Sequence, residues 1–134
     1  MIIGRLNEDL EASWADDNPA IAHRYAWPVY EGNGSRTTAT CYFEIDVGKR
    51  IGSHTHDCDE TIVLLDGSGS ARVEDDEIDI VANTVVHVPR ETAHDVINTG
   101  ERTLRLIGFF SQASVKTIFE TVLQPEGSKE SGTP

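Results

Sequence analysis

From Ala22 to Phe110 the chain alternates short apolar runs with clusters of turn-forming residues, the pattern of an all-β domain. Residues 38–47 show it most clearly. Cys41, Phe43, Ile45 and Val47 fall on one face, and Thr40, Tyr42, Glu44 and Asp46 on the other. Gly48 and Gly52 then loosen the chain. A second strand is expected over 60–65, stopped by Asp66-Gly67-Ser68-Gly69. Ser70 to Val73 and Ile78 to Val81 flank Glu74-Asp75-Asp76-Glu77 and read as a hairpin. Val85 to Val88 runs into Pro89, which lacks a backbone donor and favours a turn. Residues 93–98 and 103–110 are the next strands, joined through Thr99-Gly100-Glu101.

About eight strands at this spacing, with no long helical period among them, predict a sandwich or barrel. The lack of an internal repeat predicts a single barrel over 22–124, not a fused pair. Residues 1–21 are expected to form an extension, with a short helix over 6–17 covering a sheet edge. Val115 to Leu123 suits either a helix or a final strand, and Val115, Thr117, Phe119 and Thr121 hint at the strand. Past Pro125 the composition is Gly, Ser, Lys, Glu and Pro, which bury too little surface to order themselves. Residues 125–134 are therefore expected to be a disordered tail.

Composition narrows the function classes. The 134 residues fit one compact domain. The formal charge is −12, with 23 acidic residues against 11 basic ones. That balance argues against nucleic acid, whose affinity comes largely from Lys and Arg on phosphates, and against anionic membrane surfaces. An acidic surface favours solubility and is compatible with a salt-adapted host. The first residues show no signal-peptide pattern, and no apolar run reaches membrane-spanning length. Cys41 and Cys58 are too few for a disulfide scaffold. Cys41 reads as a small core residue and Cys58 as an exposed loop residue between Asp57 and Asp59. A reduced, cytoplasmic protein is expected.

Candidate chemistry centres on three of the five histidines. On an extended segment His54 and His56 project to the same face, and Glu60 lies at an even offset beyond them. His94 arrives from a separate strand, sharing its face with Val96 and Asn98. Three imidazole nitrogens and one carboxylate suit a single divalent transition metal ion: iron, manganese, nickel, cobalt or zinc. Taken singly, each residue has a plainer role, as an exposed pair, a solvated strand end or a core histidine.

The surrounding spacing changes that weighing. Gly48 is followed by five residues, His54, one residue, His56, three residues, Glu60, six residues and Gly67. Pro89, His94 and Asn98 follow at intervals of five and four. This pattern resembles the two motifs of the cupin superfamily, departing at two glycines, where Asn83 and Glu91 stand. The resemblance covers about 38–110. It implies a double-stranded β-helix, or jelly-roll, barrel with His54, His56, Glu60 and His94 as metal ligands. Thiol dioxygenases of the superfamily usually lack the carboxylate, so Glu60 makes that activity less expected. In flavonol-cleaving members the glutamate also serves as base, which would make Glu60 both ligand and catalytic proton acceptor.

The expectation is a metal-dependent enzyme acting on a small chelating organic substrate, foremost an oxygen-using dioxygenase of the flavonol- or diketone-cleaving kind. A non-redox isomerase, lyase or decarboxylase, or a non-catalytic binding module, is the alternative. Strand parity places Phe43, Ile62, Val96, Leu104 and Leu106 in the pocket wall, with His87 at the barrel mouth as an acid or base. For each the plainer role is ordinary packing. Arg36 and Arg105 are the only candidates for a phosphate, and Arg105 is expected to face water. His23 is expected on an outer strand or interface. Asp57 and Asp59 are expected to be solvated, with orientation of a ligating imidazole as the alternative. The stretch from Tyr25 to Tyr30 offers a contact for a homodimer.

Overall fold

The computed structural model describes residues 1–134. The period-two segments become strands β1 (Glu11–Trp14), β2 (Ala22–Val29), β3 (Ala39–Ile45), β4 (His54–His56), β5 (Glu60–Asp66) and β6 (Ser68–Val73). They continue as β7 (Asp76–Val81), β8 (Val85–Val88), β9 (His94–Ile97), β10 (Leu104–Phe110), β11 (Lys116–Leu123) and β12 (Ser128–Gly132). One 3-10 turn spans Glu31–Asn33, and no helix is long and apolar enough to cross a membrane.

Two six-stranded sheets, ordered β1-β2-β3-β10-β5-β8 and β12-β11-β4-β9-β6-β7, face each other as a jelly-roll barrel. The strand ladders are antiparallel, so short connections suffice and one face of each strand turns inward. In the centre, Leu106 lies opposite Phe43 on one side and Leu64 on the other. Ile45, Ile62, Leu64, Val96, Leu104 and Leu106 belong to one cluster of buried aliphatic side chains between the sheets. Full burial of such a side chain stabilises the fold by about 1.5–3 kcal/mol.

Both termini differ from expectation. Residues 6–17 form no helix; β1 pairs with β2 in the register Ser13↔His23 and Trp14↔Ala22. The backbone of Trp14 also exchanges hydrogen bonds with Gln124, at 3.2 and 2.7 Å. The free edge of β2 offers unpaired backbone groups along its length, which a strand satisfies and a helix does not. The expected tail likewise forms β12, paired with β11, and the Thr133 amide donates to the Val115 carbonyl. Main-chain hydrogen bonding to a sheet edge orders this polar segment without much apolar side-chain burial.

The turns of the matching motifs keep their backbone. Gly48 and Gly67 take φ of 78° and 91°, and Asn83 and Glu91 adopt φ of 72° and 60° without being glycines. For Glu91 the left-handed conformation costs about 1–2 kcal/mol. Its amide donates to the His56 carbonyl at 2.8 Å, tying that turn to the strand that carries two of the histidines. Asn98 is buried and staples a corner: its Nδ2 donates to the carbonyls of Ile45 and Arg102, and its Oδ1 accepts from Gly100.

Candidate metal centre

Three neighbouring segments bring the four predicted ligands together. His54 on β4 sits in register with His94 on β9, so their rings lie 4.2 Å apart between centroids. His56 is two residues on, its ring centred 4.8 Å from His54 and 5.0 Å from His94. Glu60 opens β5 on the opposite sheet and points inward. All four side chains are buried, and one donor atom from each lies within 4.8 Å of the others.

Hydrogen bonds behind the rings fix which nitrogen faces inward. His54 Nδ1 is 2.7 Å from the Gly52 carbonyl, and His94 Nδ1 is 2.9 Å from the Thr92 carbonyl. A carbonyl only accepts, so both Nδ1 atoms carry protons and both Nε2 atoms face the cluster, that of His94 lying 3.0 Å from Glu60 Oε1. His56 Nδ1 shares a 2.9 Å hydrogen bond with Thr117 Oγ1, from the residue opposite it on β11. Its Nε2 is buried without a hydrogen-bond partner, lying 3.2 Å from Glu60 Oε1. A second tier holds the first. Buried Asp95 accepts from the Gly52 amide at 2.9 Å and from Arg50 Nε at 2.6 Å, clamping the loop that leads into His54.

The electrostatics follow from burial and crowding. Burial alone would raise the Glu60 carboxyl, but the His56 and His94 rings beside it outweigh that and hold it down to about 2. Burial opposes a charge on His94, and the Glu60 carboxylate at 3.0 Å overcomes it and raises the imidazole. Buried among like rings, His54 is pushed well below its usual value. A carboxylate buried among three imidazoles is costly unless positive charge, a proton or a metal ion, lies among them. These residues therefore fit a divalent metal ion, and the chemistry of the donor set is borderline-hard. Cys41, beside the cluster, is buried and its thiol is pushed well above its usual value, chiefly by desolvation. That keeps it from acting as a thiolate nucleophile.

The remaining sequence expectations divide. A small cavity beside the histidines is walled by aromatic rings, including Phe43, Phe110 and Phe119. Phe43 was expected there. Ile62, Val96, Leu104 and Leu106 instead pack in the aliphatic cluster and do not line the cavity. They share the ligands' face but lie further along the strands, where neighbours of the same parity close over them. His87 points outward: its side chain is 56% exposed, and Nδ1 bonds Thr61 Oγ1. His23 does the reverse of its expectation. It is buried and lines the cavity, because Arg24 takes the outward face to pair with Glu44 and Asp46. Cys58 is also buried, packed with Cys41, Ala39, Phe110 and Val115. Asp57 and Asp59 orient no imidazole; they accept from the backbone amides of Lys116 and Arg90 and fix the loop. Arg105 lies over the Tyr42 ring and donates to its hydroxyl, away from the cavity.

Two contributors escaped the sequence reading. Thr117 orients His56, and its same-parity pairing with the histidines needed the β4–β11 register. Gly108 faces Glu60: a Cβ there would lie 2.1 Å from Glu60 Oε2. A lone glycine inside a strand is the signal that another group approaches closely.

Comparison with known proteins agrees with this geometry. Residues 41–110 match the family model described as the cupin domain. Over 88 residues the chain is 32% identical to auxin-binding protein 1 of Arabidopsis thaliana, covering 58% of this chain and 44% of that one. It thus spans less than half the length of that curated relative. Similar solved structures include the oxalate decarboxylase formate complex of Lactobacillus farciminis, with a TM-score of 0.70 at 18% identity, covering 84% of this chain and 34% of that one. Another is a candidate sugar phosphate isomerase from Acidithiobacillus ferrooxidans, with a TM-score of 0.66 at 22% identity, covering 84% and 74%. At these identities the structural likeness is one of fold. With the domain model matching more than half of its residues, the chain belongs to the cupin family.

Proposed function

We propose that the protein is a mononuclear metal-dependent enzyme that activates a small organic oxygen ligand at His54, His56, Glu60 and His94. The observation that carries this reading is the orphaned His56 Nε2 within a buried cluster into which the Nε2 atoms of His54 and His94 also turn. A divalent cation held there would polarise oxygen atoms bound to it and ease loss of a proton from carbon or hydroxyl beside them. The protein's own residues do the rest. The two carbonyl-anchored imidazoles and Thr117 hold the donors still, Gly108 leaves room for Glu60, and the aromatic wall keeps bulk water away. Glu60 is both ligand and proton acceptor in this scheme.

The cavity favours a compact chelate. Its volume is about 30 Å³, room for roughly two water molecules, so a flavonol does not fit and even a short diketone or 2-oxo acid enters only as the wall moves outward. No Lys or Arg lines it, so a phosphosugar finds no partner for its phosphate. Oxygen-using cleavage is the reaction we favour, because the donor set suits redox-active ions and an apolar wall admits dioxygen. Auxin-binding protein 1 binds auxin by its name, and by analogy the alternative is ligand binding without turnover.

Elemental analysis of protein purified without added metal is the primary test; bound transition metal is expected, and no uptake on titration would overturn the reading. Oxygen consumption by the iron, manganese, nickel and cobalt forms with diketones, catechols and 2-oxo acids tests the reaction. Binding without consumption would instead support a non-redox enzyme or a binding module, separated by product analysis.

A further inference from the structure

The cavity contains a polar group that the four-ligand cluster does not use. His23, on β2, lies in register with Ser13 on β1, and both residues face the cavity with Phe43, His54, His56 and Phe119. Its ring stacks on Phe119 at 6.3 Å and 22°, and its centroid is 5.7 Å from that of Phe43. Phe119 in turn lies 4.9 Å from the His54 ring, so a short aromatic bridge separates His23 from the cluster. The residue is 6% exposed, and its Nδ1 is buried without a hydrogen-bond partner.

An unpaired buried nitrogen is costly, and a Phe or Leu would pack among these rings without that cost. The ring itself lines the cavity, so an occupant that turns it slightly gives this nitrogen its partner. We propose that His23 is a specificity-determining residue whose Nδ1 hydrogen-bonds the far end of a small oxygen chelate held at His54, His56, Glu60 and His94. The inference rests on the metal reading given above. A neutral imidazole either donates or accepts, according to its tautomer. It can thus meet the oxygen of a carboxylate or ketone, or the proton of an enol. The ligand class is a short 2-oxo acid, dicarboxylate or enolised diketone: one end of oxygen for the cluster, a second polar atom for His23, and little bulk.

The test uses the full chain loaded with cobalt(II), whose visible bands report ligands entering its coordination sphere. The probes are pyruvate, oxalate and acetylacetone, with cobalt retention checked by equilibrium dialysis. In the unaltered protein at least one probe is expected to shift the bands. His23→Phe should retain cobalt affinity and at least the original thermal stability, while the Kd for that probe rises about tenfold or more, the size of a lost hydrogen bond to an ionised group. His23→Asn places an amide near the position of Nδ1 and should restore affinity to within about threefold. A merely structural histidine would leave probe affinity unchanged in His23→Phe, and that result overturns the proposal. So does the absence of a shift with all three probes while cobalt is bound. Failure of the unaltered protein to bind cobalt, or any other divalent metal, overturns the metal reading itself.

Discussion

The barrel interior has two ends built from the same strands on opposite terms. At one end β5 and β9 contribute Glu60 and His94; further along the same faces they contribute Ile62, Leu64 and Val96. The aliphatic end closes on itself, and every atom there gains from losing water. The other end buries one carboxylate and four imidazoles, counting His23, each of which pays a desolvation cost. Inward parity alone therefore does not say what a residue does. What separates the ends is whether buried polar atoms find partners within the chain. At the aliphatic end there are none to satisfy, and at the ligand end His56 Nε2 and His23 Nδ1 remain unmatched.

Breaking the aliphatic end should give the largest loss of stability with the least effect on function. Leu64→Ala is expected to lower folding stability by about 2–5 kcal/mol, measured by urea unfolding, with metal affinity per folded molecule unchanged. Its converse is His94→Ala. Structural metal sites release about 10–16 kcal/mol over four ligands, so losing one should weaken metal affinity by about 100-fold or more. Competition with a chromophoric chelator reads this out, and unchanged affinity would remove His94 from the ligand set.

Within the ligand end, His23 and His94 should respond to acid in opposite senses. Burial lowers the His23 pKa to about 4. Below the unfolded value near 6.5 the unfolded chain binds the proton and the folded chain does not. Stability from this source is thus complete above about 6.5 and is lost as pH falls toward about 4, roughly 3 kcal/mol in all. His94, raised by Glu60, acts in the opposite sense, with stability present below its unfolded value and lost as pH rises. Comparing metal-free protein with His23→Phe isolates the first effect. Equal acid slopes in urea unfolding would mean that His23 is protonated in the folded state.

Smaller changes sharpen the distinction. Thr117→Val keeps the shape but removes the hydroxyl from His56, and should weaken metal affinity about tenfold with little change in apolar packing. Glu91→Gly should stabilise the fold by about 0.5–1 kcal/mol by relieving a left-handed glutamate. A loss of stability instead would show that the Glu91 side chain contributes more than its backbone costs.

Much of the site was legible because strand geometry is short-ranged. His54, His56 and Glu60 share a face by even spacing within a few residues, and the motif glycines mark where the backbone must take positive φ. The family resemblance added His94, which no local rule connects to the others. Less legible were residues whose side is decided by a partner strand. Arg24 faces outward because Glu44 and Asp46 are there, and that sends His23 inward. Cys58 is buried because Phe110 and Val115 close over its loop.

By itself, then, the sequence determined the all-β character, most strand faces and the shared face of His54, His56 and Glu60, since alternation and turn chemistry act between near neighbours. The tertiary structure decided what surrounds those donors. It paired both termini into the sheets, set Thr117 behind His56, opened a notch at Gly108 for Glu60 and brought His23 to the cavity. Each of these depends on which strands meet and in what register, a choice made by the whole barrel's hydrogen bonding and burial rather than by any segment of it.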